Sequence, residues 1–420
     1  MVGQEEFLTK EEWAKVVKRH LGTNQFEVLS ISLRRLSEGG GFLGEHRHAE
    51  VGVRLRDEPH TRRALHFFVK GQPQALPEQR ALVEETGTFT KEVAVLSKLF
   101  VHLRSVLENG GEDMKWCCKC YYTRPDVIVF EDVSPLGFRV LDRAVKFGFQ
   151  HCTTVLKALA NLHAASLIFE EKHPAPGYRV TADYEADLKE PFFLLRPGHP
   201  GTLWLESGVR VMWKLVEEIR GADALQKMKT QIQEVMYTFF DLVKTSDRYR
   251  NVVSHGDMWR NNIFFRLEEG EPVEALMCDY QITRYTPPAN DVTCFLYLGT
   301  SRAFREEHYP QLLEFYHDQL SQNLRRHDIQ PDSVLSWEEF KNSCEHYKPM
   351  GAMITCLYSV ITFLSNDDLK PVMESSKDYE RFVKQDRIPE TMHAFKNDTL
   401  YREKLSEVVE EFIEVCIEKK

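Results

Sequence analysis

Long hydrophobic runs are absent from this chain of 420 residues. The longest apolar-rich stretch, Gly351 to Leu364, is 14 residues with Thr and Ser inside it. That is short of the ~20 residues that carry a helix across a bilayer, so it reads as a buried helix and no membrane span is expected. The opening, MVGQEEFLTKEEW, is acidic and has no apolar core, so no secretory signal is expected, and no lipidation signature stands out. Positive charge is in deficit. Lys and Arg number 54 against 64 Asp and Glu, a net charge of −10. Such a chain makes a poor nucleic-acid binder, because neutralising phosphates supplies most of the sequence-independent affinity. Cysteine builds no framework either: nine thiols, an odd count, are scattered through apolar segments. That fits reduced, buried side chains in a cytoplasmic protein. The one cluster, Cys117, Cys118 and Cys120, lacks a second CxxC or a histidine pair at ligand spacing, so it reads as part of a structural strand rather than a zinc site. Internal repeats and low-complexity tracts are missing as well.

What remains is an ordinary globular composition, 42% hydrophobic and 28% charged. Its length suits two or three domains or one large two-lobed unit. Thr9-Lys10-Glu11-Glu12 is a capping box ahead of a helix carrying Trp13, Val16, Val17 and Leu21. Strands are expected over 28–36, 51–55, 64–70, 116–122 and 127–130, with a glycine-rich turn at 38–44. Phe89, Val93, Leu96, Leu99 and Leu103 share one helical face. Beyond Asp132 the pattern turns helical, over 149–166, over 225–243 and through the last third. Pro, Gly and charge between 174 and 202 predict an irregular segment. Short strands flank 255–265 and 275–280. A β-rich first third and a helical remainder predict an α+β chain of two lobes with a cleft between them.

The chemistry concentrates in Val252-Val253-Ser254-His255-Gly256-Asp257-Met258-Trp259-Arg260-Asn261-Asn262-Ile263-Phe264-Phe265, followed after a polar turn by Ala275-Leu276-Met277-Cys278-Asp279-Tyr280-Gln281. Apolar strands bracket an Asp and an Asn five positions apart, and a second Asp ends the next apolar strand. A single loop Asp is ordinarily a turn cap. The whole set is what phosphoryl transfer needs: one carboxylate to take or orient the acceptor's proton, and oxygen ligands to hold magnesium on a triphosphate. Asp257 suits the first task; Asn262 and Asp279 suit the second.

At these residues the chain resembles the protein-kinase-like small-molecule phosphotransferases, the group of aminoglycoside phosphotransferases and choline kinases. It is most similar to the insect ecdysteroid-kinase-like (CHK-kinase-like) family. That family's HGD-x-W-x-N-N-x-x-F pattern matches His255, Gly256, Asp257, Trp259, Asn261, Asn262 and Phe265. Tyr280 departs from it, standing where the family usually has Phe. The resemblance runs over roughly residues 30 to 400, and what it implies can be carried over residue by residue. Lys70, closing Phe67-Phe68-Val69-Lys70, becomes the lysine on the α- and β-phosphates of ATP. Glu92, in Phe89-Thr90-Lys91-Glu92, becomes its ion-pair partner. Glu131 and Val133 of the Val127–Val133 segment become the hinge whose backbone reads adenine. Gly40 and Gly41 belong to a loop laid over the phosphates. His163 is expected as a network residue, Asp291 as a brace for the catalytic loop, and Trp259 as core or as a wall of the acceptor pocket.

The resemblance therefore implies a bilobal protein-kinase-like fold, with an N-lobe over 1–131 and a C-lobe over 132–420. The implied function is a cytoplasmic, ATP- and magnesium-dependent kinase acting on a hydroxyl of a small molecule, an ecdysteroid or another lipophilic or xenobiotic alcohol. Two other readings stay open on the sequence: a choline- or ethanolamine-type kinase, and a non-catalytic pseudokinase that holds nucleotide or hormone. A protein kinase is not indicated, since no D-F-G to A-P-E segment is found.

Overall fold

Thr9 opens helix α1 (Lys10–Leu21) with the expected capping box: its hydroxyl accepts from the Glu12 N–H, and the Glu12 carboxylate accepts from the Thr9 N–H. Two donors at the helix start, which have no partner within the helix, are satisfied this way. Gly22, at φ 70°, ends the helix in the left-handed region. The computed structural model describes residues 7–36, 44–58, 60–108 and 115–418. In it, Trp13, Val16 and Val17 pack on an antiparallel sheet of five strands. These are β1 (Phe26–Arg35), β2 (Glu45–Leu55), β3 (Arg62–Gly71), β4 (Cys120–Arg124) and β5 (Val127–Glu131), in the order β1-β2-β3-β5-β4. Strand alternation sorts the faces. Leu65, Phe67 and Val69 join Ala49, Val51 and Val53 under α1, which turns Phe68 and Lys70 to the opposite face. Register sets Lys70 beside His46 and Phe67 beside Glu131.

Between β3 and β4 lie α2 (Pro77–Thr86) and α3 (Thr88–Ala94), the latter running through a π-helical turn, Val95–Leu99, into α4 (Phe100–Glu108). The single helix expected from Phe89 to Leu103 is thus interrupted; the wider turn still keeps Val95, Leu96, Leu99, Phe100 and Leu103 buried. The strand expected from Trp116 begins only at Cys120. Trp116 and Cys117 instead lie along Met277, whose N–H donates to the Trp116 carbonyl at 2.7 Å. The apolar pattern there reported burial correctly but not the partner.

The rest is mainly helical. A sheet of β6 (Phe138–Arg139), β8 (Ile263–Glu268) and β9 (Glu271–Met277) and a pair of β7 (Val252–Ser254) with β10 (Arg284–Thr286) are set among helices. Those helices begin with α5 (Phe149–Glu171), α6 (Thr181–Leu188), α7 (Pro200–Arg220), α8 (Ala222–Tyr237) and α9 (Phe239–Leu242). They continue with α10 (Pro288–Gly299), α11 (Arg302–Arg326), α12 (Pro331–Val334), α13 (Trp337–Thr362) and α14 (Asn366–Glu374), and close with α15 (Ser376–Glu380), α16 (Ile388–Asn397) and α17 (Thr399–Phe412). The segment expected to be irregular contains α6 and the first turn of α7, which Pro200 begins, a residue whose fixed φ suits that position. The helix expected over 225–243 breaks at Thr238 into α8 and α9. Among the described residues only α5 is by itself long and apolar enough to cross a membrane, and 83% of its apolar window is buried inside the protein. It is the central core helix.

Candidate active site

The loop after β7 is built around a glycine that only a glycine can fill. Gly256 has φ +86°, and a Cβ there would lie 2.4 Å from the Ile282 carbonyl. Its N–H and that of His255 donate to the two oxygens of Asp291, at 2.9 and 2.6 Å. Asp291 sits in the first turn of α10 and also accepts from His163 Nε2 at 3.1 Å, while His163 Nδ1 pairs with the Tyr316 hydroxyl at 2.7 Å. Burial would raise the Asp291 carboxyl, yet the hydrogen bond from His163 and the charges around it hold it below the usual range. His255 is fully buried, and burial lowers its pKa. The neutral ring accepts from the Asp257 N–H through Nδ1 at 3.1 Å and donates through Nε2 to the Cys278 carbonyl at 2.9 Å. His163, Asp291 and His255 thus tie the loop to the strand that leads to Asp279.

Asp257 comes out of this loop with only 7% of its surface exposed. Asn262, five residues on, donates Nδ2 to the Asp257 carbonyl at 2.9 Å and to its Oδ2 at 3.0 Å. The Tyr358 hydroxyl donates to Oδ1 at 2.9 Å. Burial first, and the Asp279 carboxylate second, push the Asp257 pKa up to about 7 against those two hydrogen bonds.

Lys70 Nζ donates to Glu92 Oε2 at 2.6 Å and to Asp279 Oδ1 at 2.7 Å. Lys70 and Glu92 are buried, whereas the Asp279 side chain is 24% exposed. Burial alone would pull the Lys70 pKa down, but the two carboxylates hold it above the usual lysine value. Glu92 is tied further by accepting the Tyr280 N–H at 3.2 Å. Asp279 has φ +69°, a left-handed conformation uncommon outside glycine.

Lys70, Glu92, Asp257, Asn262 and Asp279 all line one cleft of about 370 Å³, as do Glu131 and Val133. Phe68, Phe130, Val133, Phe264 and Met277 give one end an apolar slot, with the β5 end along it. From Asp257 the wall continues through Tyr358 to Trp204, with rings 5.7 Å apart, and from Trp204 to Phe192 and Phe193. Tyr379, Phe382 and Leu82 complete that end. Because α15 packs on α2, that end of the cleft is bounded by both the sheet-bearing region and the helical region. Asn262 turns its amide nitrogen to Asp257 and so leaves its oxygen free to ligate a cation, and Asp279 adds a carboxylate. An all-oxygen pair of this kind fits magnesium, which keeps water and phosphate oxygens in its remaining positions. No group of three or more His, Cys, Asp or Glu able to hold a metal occurs among the described residues.

Of the residues singled out from sequence, Lys70, Glu92, Glu131, Val133, Asp257, Asn262 and Asp279 line this cleft, His163 and Asp291 brace the loop from behind, and Gly40 and Gly41 lie outside the described residues. Trp259 is half-buried and lines it. Sequence reasoning missed Tyr358 as a partner of Asp257, and missed Phe192, Phe193 and Trp204 as cleft wall. The paired Phe192-Phe193 inside a Pro- and Gly-rich stretch was the available signal, since loop segments are rarely that aromatic. In comparisons with known proteins, the profile of the Ecdysteroid kinase-like family matches residues 42–329. No curated protein sequence matches. Among solved structures the chain is similar to the macrolide 2'-phosphotransferase MphH of Brachybacterium faecium, at 12% identity over 79% of this chain and 87% of that one, TM-score 0.35. It is similar to an ethanolamine kinase of Plasmodium vivax at 14% identity, over 95% of this chain and 91% of that one, TM-score 0.37. A third is the GDP and kanamycin complex of an APH(2") enzyme, at 9% identity over 95% and 99%, TM-score 0.37.

Proposed function

The chain belongs to the Ecdysteroid kinase-like family, and from that premise we propose that it transfers the γ-phosphate of ATP to a hydroxyl of a small lipophilic alcohol, an ecdysteroid or a hydroxylated xenobiotic. The observation that carries this reading is the buried Asp257 carboxylate lining the same cleft as the Lys70–Glu92–Asp279 set. In this reading the segment 1–131 covers the nucleotide and 132–420 supplies the catalytic loop and the acceptor wall. The slot of Phe68, Phe130 and Val133 takes adenine, with the backbone of Glu131 and Val133 along its edge. Lys70 neutralises phosphate oxygens and Glu92 keeps it in place.

Asp257 receives the acceptor's proton as that oxygen bonds to the γ-phosphorus and the bond from phosphorus to the β–γ bridging oxygen breaks, so ADP leaves. Asn262 and Asp279 would hold magnesium, whose charge offsets that of the phosphates. Positioning and charge account for most of the rate gain, since the transition state is loose.

The wall beyond Asp257, made of Phe192, Phe193, Trp204, Tyr379 and Phe382, supports a lipophilic acceptor, and because aromatic rings also cage quaternary ammonium groups, choline is the control that decides the class. Nine free thiols support action in a reducing compartment such as the cytoplasm. The test is a phosphotransfer screen with purified protein, Mg-ATP and a panel of ecdysteroids, choline, ethanolamine and small glycosides. Phosphorylation of the steroids and not of choline is the expected result; transfer to choline alone overturns the acceptor class.

A further inference from the structure

Tyr358 belongs to α13, 101 residues from Asp257 in sequence, yet its hydroxyl donates to Asp257 Oδ1 at 2.9 Å. Asn262 holds the other oxygen, Oδ2, at 3.0 Å. The last torsion of an aspartate is broad and roughly two-fold, so one hydrogen bond alone leaves the carboxylate free to tilt. Two bonds, one to each oxygen, fix its plane. Resting on the reading of Asp257 as the group that meets the acceptor, we propose that Tyr358 is a positioning residue. Its hydroxyl sets the carboxylate plane, and its ring forms the first stretch of wall beside the acceptor's reacting hydroxyl.

The scaffold behind Tyr358 is built for accuracy. Two helical turns earlier, Gly351 lets α13 approach α10 closely: a Cβ there would meet Tyr297 at 2.7 Å and Thr293 at 2.8 Å. Helix α10 also carries Asp291, which clamps the His255–Gly256 backbone. Tyr358 and the loop it serves are therefore referred to the same rigid element. On the other side the ring is wedged edge-on against Trp204, and the Arg387 guanidinium backs Trp204 at 4.8 Å from the ring centre. Arg387 is itself fully buried, held by the Trp204 carbonyl at 2.8 Å and the Ser207 hydroxyl at 3.2 Å. Tyr358 can neither swing away nor follow a mobile loop. A carboxylate oriented to within tens of degrees is what proximity catalysis requires.

The test uses the full chain and four proteins: wild type, Tyr358→Phe, Asp257→Asn and the double variant. Each is measured for transfer from Mg-ATP to ecdysone and for hydrolysis of Mg-ATP without acceptor, with Mg-ATP affinity by calorimetry. Tyr358→Phe keeps the ring and the wall, so a packing role predicts no change. The positioning role predicts that it lowers kcat about tenfold to a hundredfold, with KM for ATP within about twofold of wild type. It also predicts that the double variant is no slower than Asp257→Asn alone, to within about twofold, because the hydroxyl acts only through the carboxylate. A slow Asp257→Asn beside a Tyr358→Phe of wild-type kcat overturns the role of Tyr358 and leaves that of Asp257 standing. An Asp257→Asn as fast as wild type removes both, as does a wild type that transfers phosphate to neither alcohol nor water. Loss of Mg-ATP binding in Tyr358→Phe also counts against the proposal, since the residue would then be acting on the nucleotide.

Discussion

Asp257→Asn should raise stability and sharply lower turnover in the same protein, and the two effects have separate causes. The Asp257 pKa is pushed from 3.8 up to about 7, by burial first and by the Asp279 carboxylate second. Below about pH 4 the group is protonated in both the folded and the unfolded chain, so it sets up no pH dependence. Between about 4 and 7 the folded chain binds the extra proton, so stability falls as pH rises, and above 7 the full penalty stands. At ~1.4 kcal/mol per pH unit that penalty has a ceiling of about 4 kcal/mol. Asparagine has no charge to bury. Its oxygen can accept from Asn262, and its amide can donate to the Tyr358 oxygen once that hydroxyl rotates. Thermal melts should therefore show the variant more stable than wild type by a few kcal/mol at pH 8 and by clearly less at pH 5. Turnover moves the other way: removing a general base costs about 10²–10⁴ in kcat, while affinity for a non-hydrolysable ATP analogue changes by no more than about twofold, because Lys70, Asn262 and Asp279 remain. Steady-state kinetics, calorimetric titration and melts at the two pH values check all three. Near-wild-type kcat removes Asp257 from the mechanism. A variant less stable at pH 8 than wild type refutes the burial argument.

Glu92→Gln takes one of the two carboxylates from Lys70 Nζ and should weaken Mg-ATP binding about tenfold or more in calorimetry, with an unchanged melting profile in its absence counting as evidence that the fold is intact. Asp279→Asn should raise the magnesium concentration needed for half-maximal activity by at least about tenfold, and chelation with EDTA should stop wild-type turnover outright. An Asp279→Asn with the wild-type magnesium dependence would take the metal role from that residue. Gly256→Ala meets both a positive φ and a Cβ 2.4 Å from the Ile282 carbonyl, so it should lose at least about 1–3 kcal/mol in denaturant unfolding and most of its activity; a fully active, stable alanine variant would show that the loop tolerates another backbone path.

The parts of the site that were legible in the sequence are those whose chemistry is local. Asp257 and Asn262 share one loop, so five residues of spacing define both the Asn262 hydrogen bond and the turn that makes it. The Thr9 capping box is of the same kind. Lys70 and Glu92 are 22 residues apart, and only the family pattern pointed from one to the other. Strand alternation supports that reading after the fact, because Leu65, Phe67 and Val69 on one face require Lys70 on the other. The strand expected at Trp116 and the irregular stretch expected up to Thr202 misfired for one reason. Apolar residues and prolines report burial and backbone limits, and these do not name a partner: Trp116 found Met277, and Pro200 began a helix instead of ending a loop.

Taken by itself, then, the chain determined where most of its helices and strands lie and which loop carries the carboxylate and amide. These follow from covalent geometry and from periods of two and 3.6 residues, which act over a few positions. Tertiary structure alone decided that the Asp257 carboxylate is buried to the point of a pKa near 7, that Lys70 bridges Glu92 and Asp279, and that Tyr358 closes on Asp257 from 101 residues away. Each of these depends on how closely α13, α10 and the sheet approach one another. That distance is set by side-chain volumes summed over the whole core, such as the missing Cβ of Gly351 against Tyr297, and no short window of sequence contains the sum.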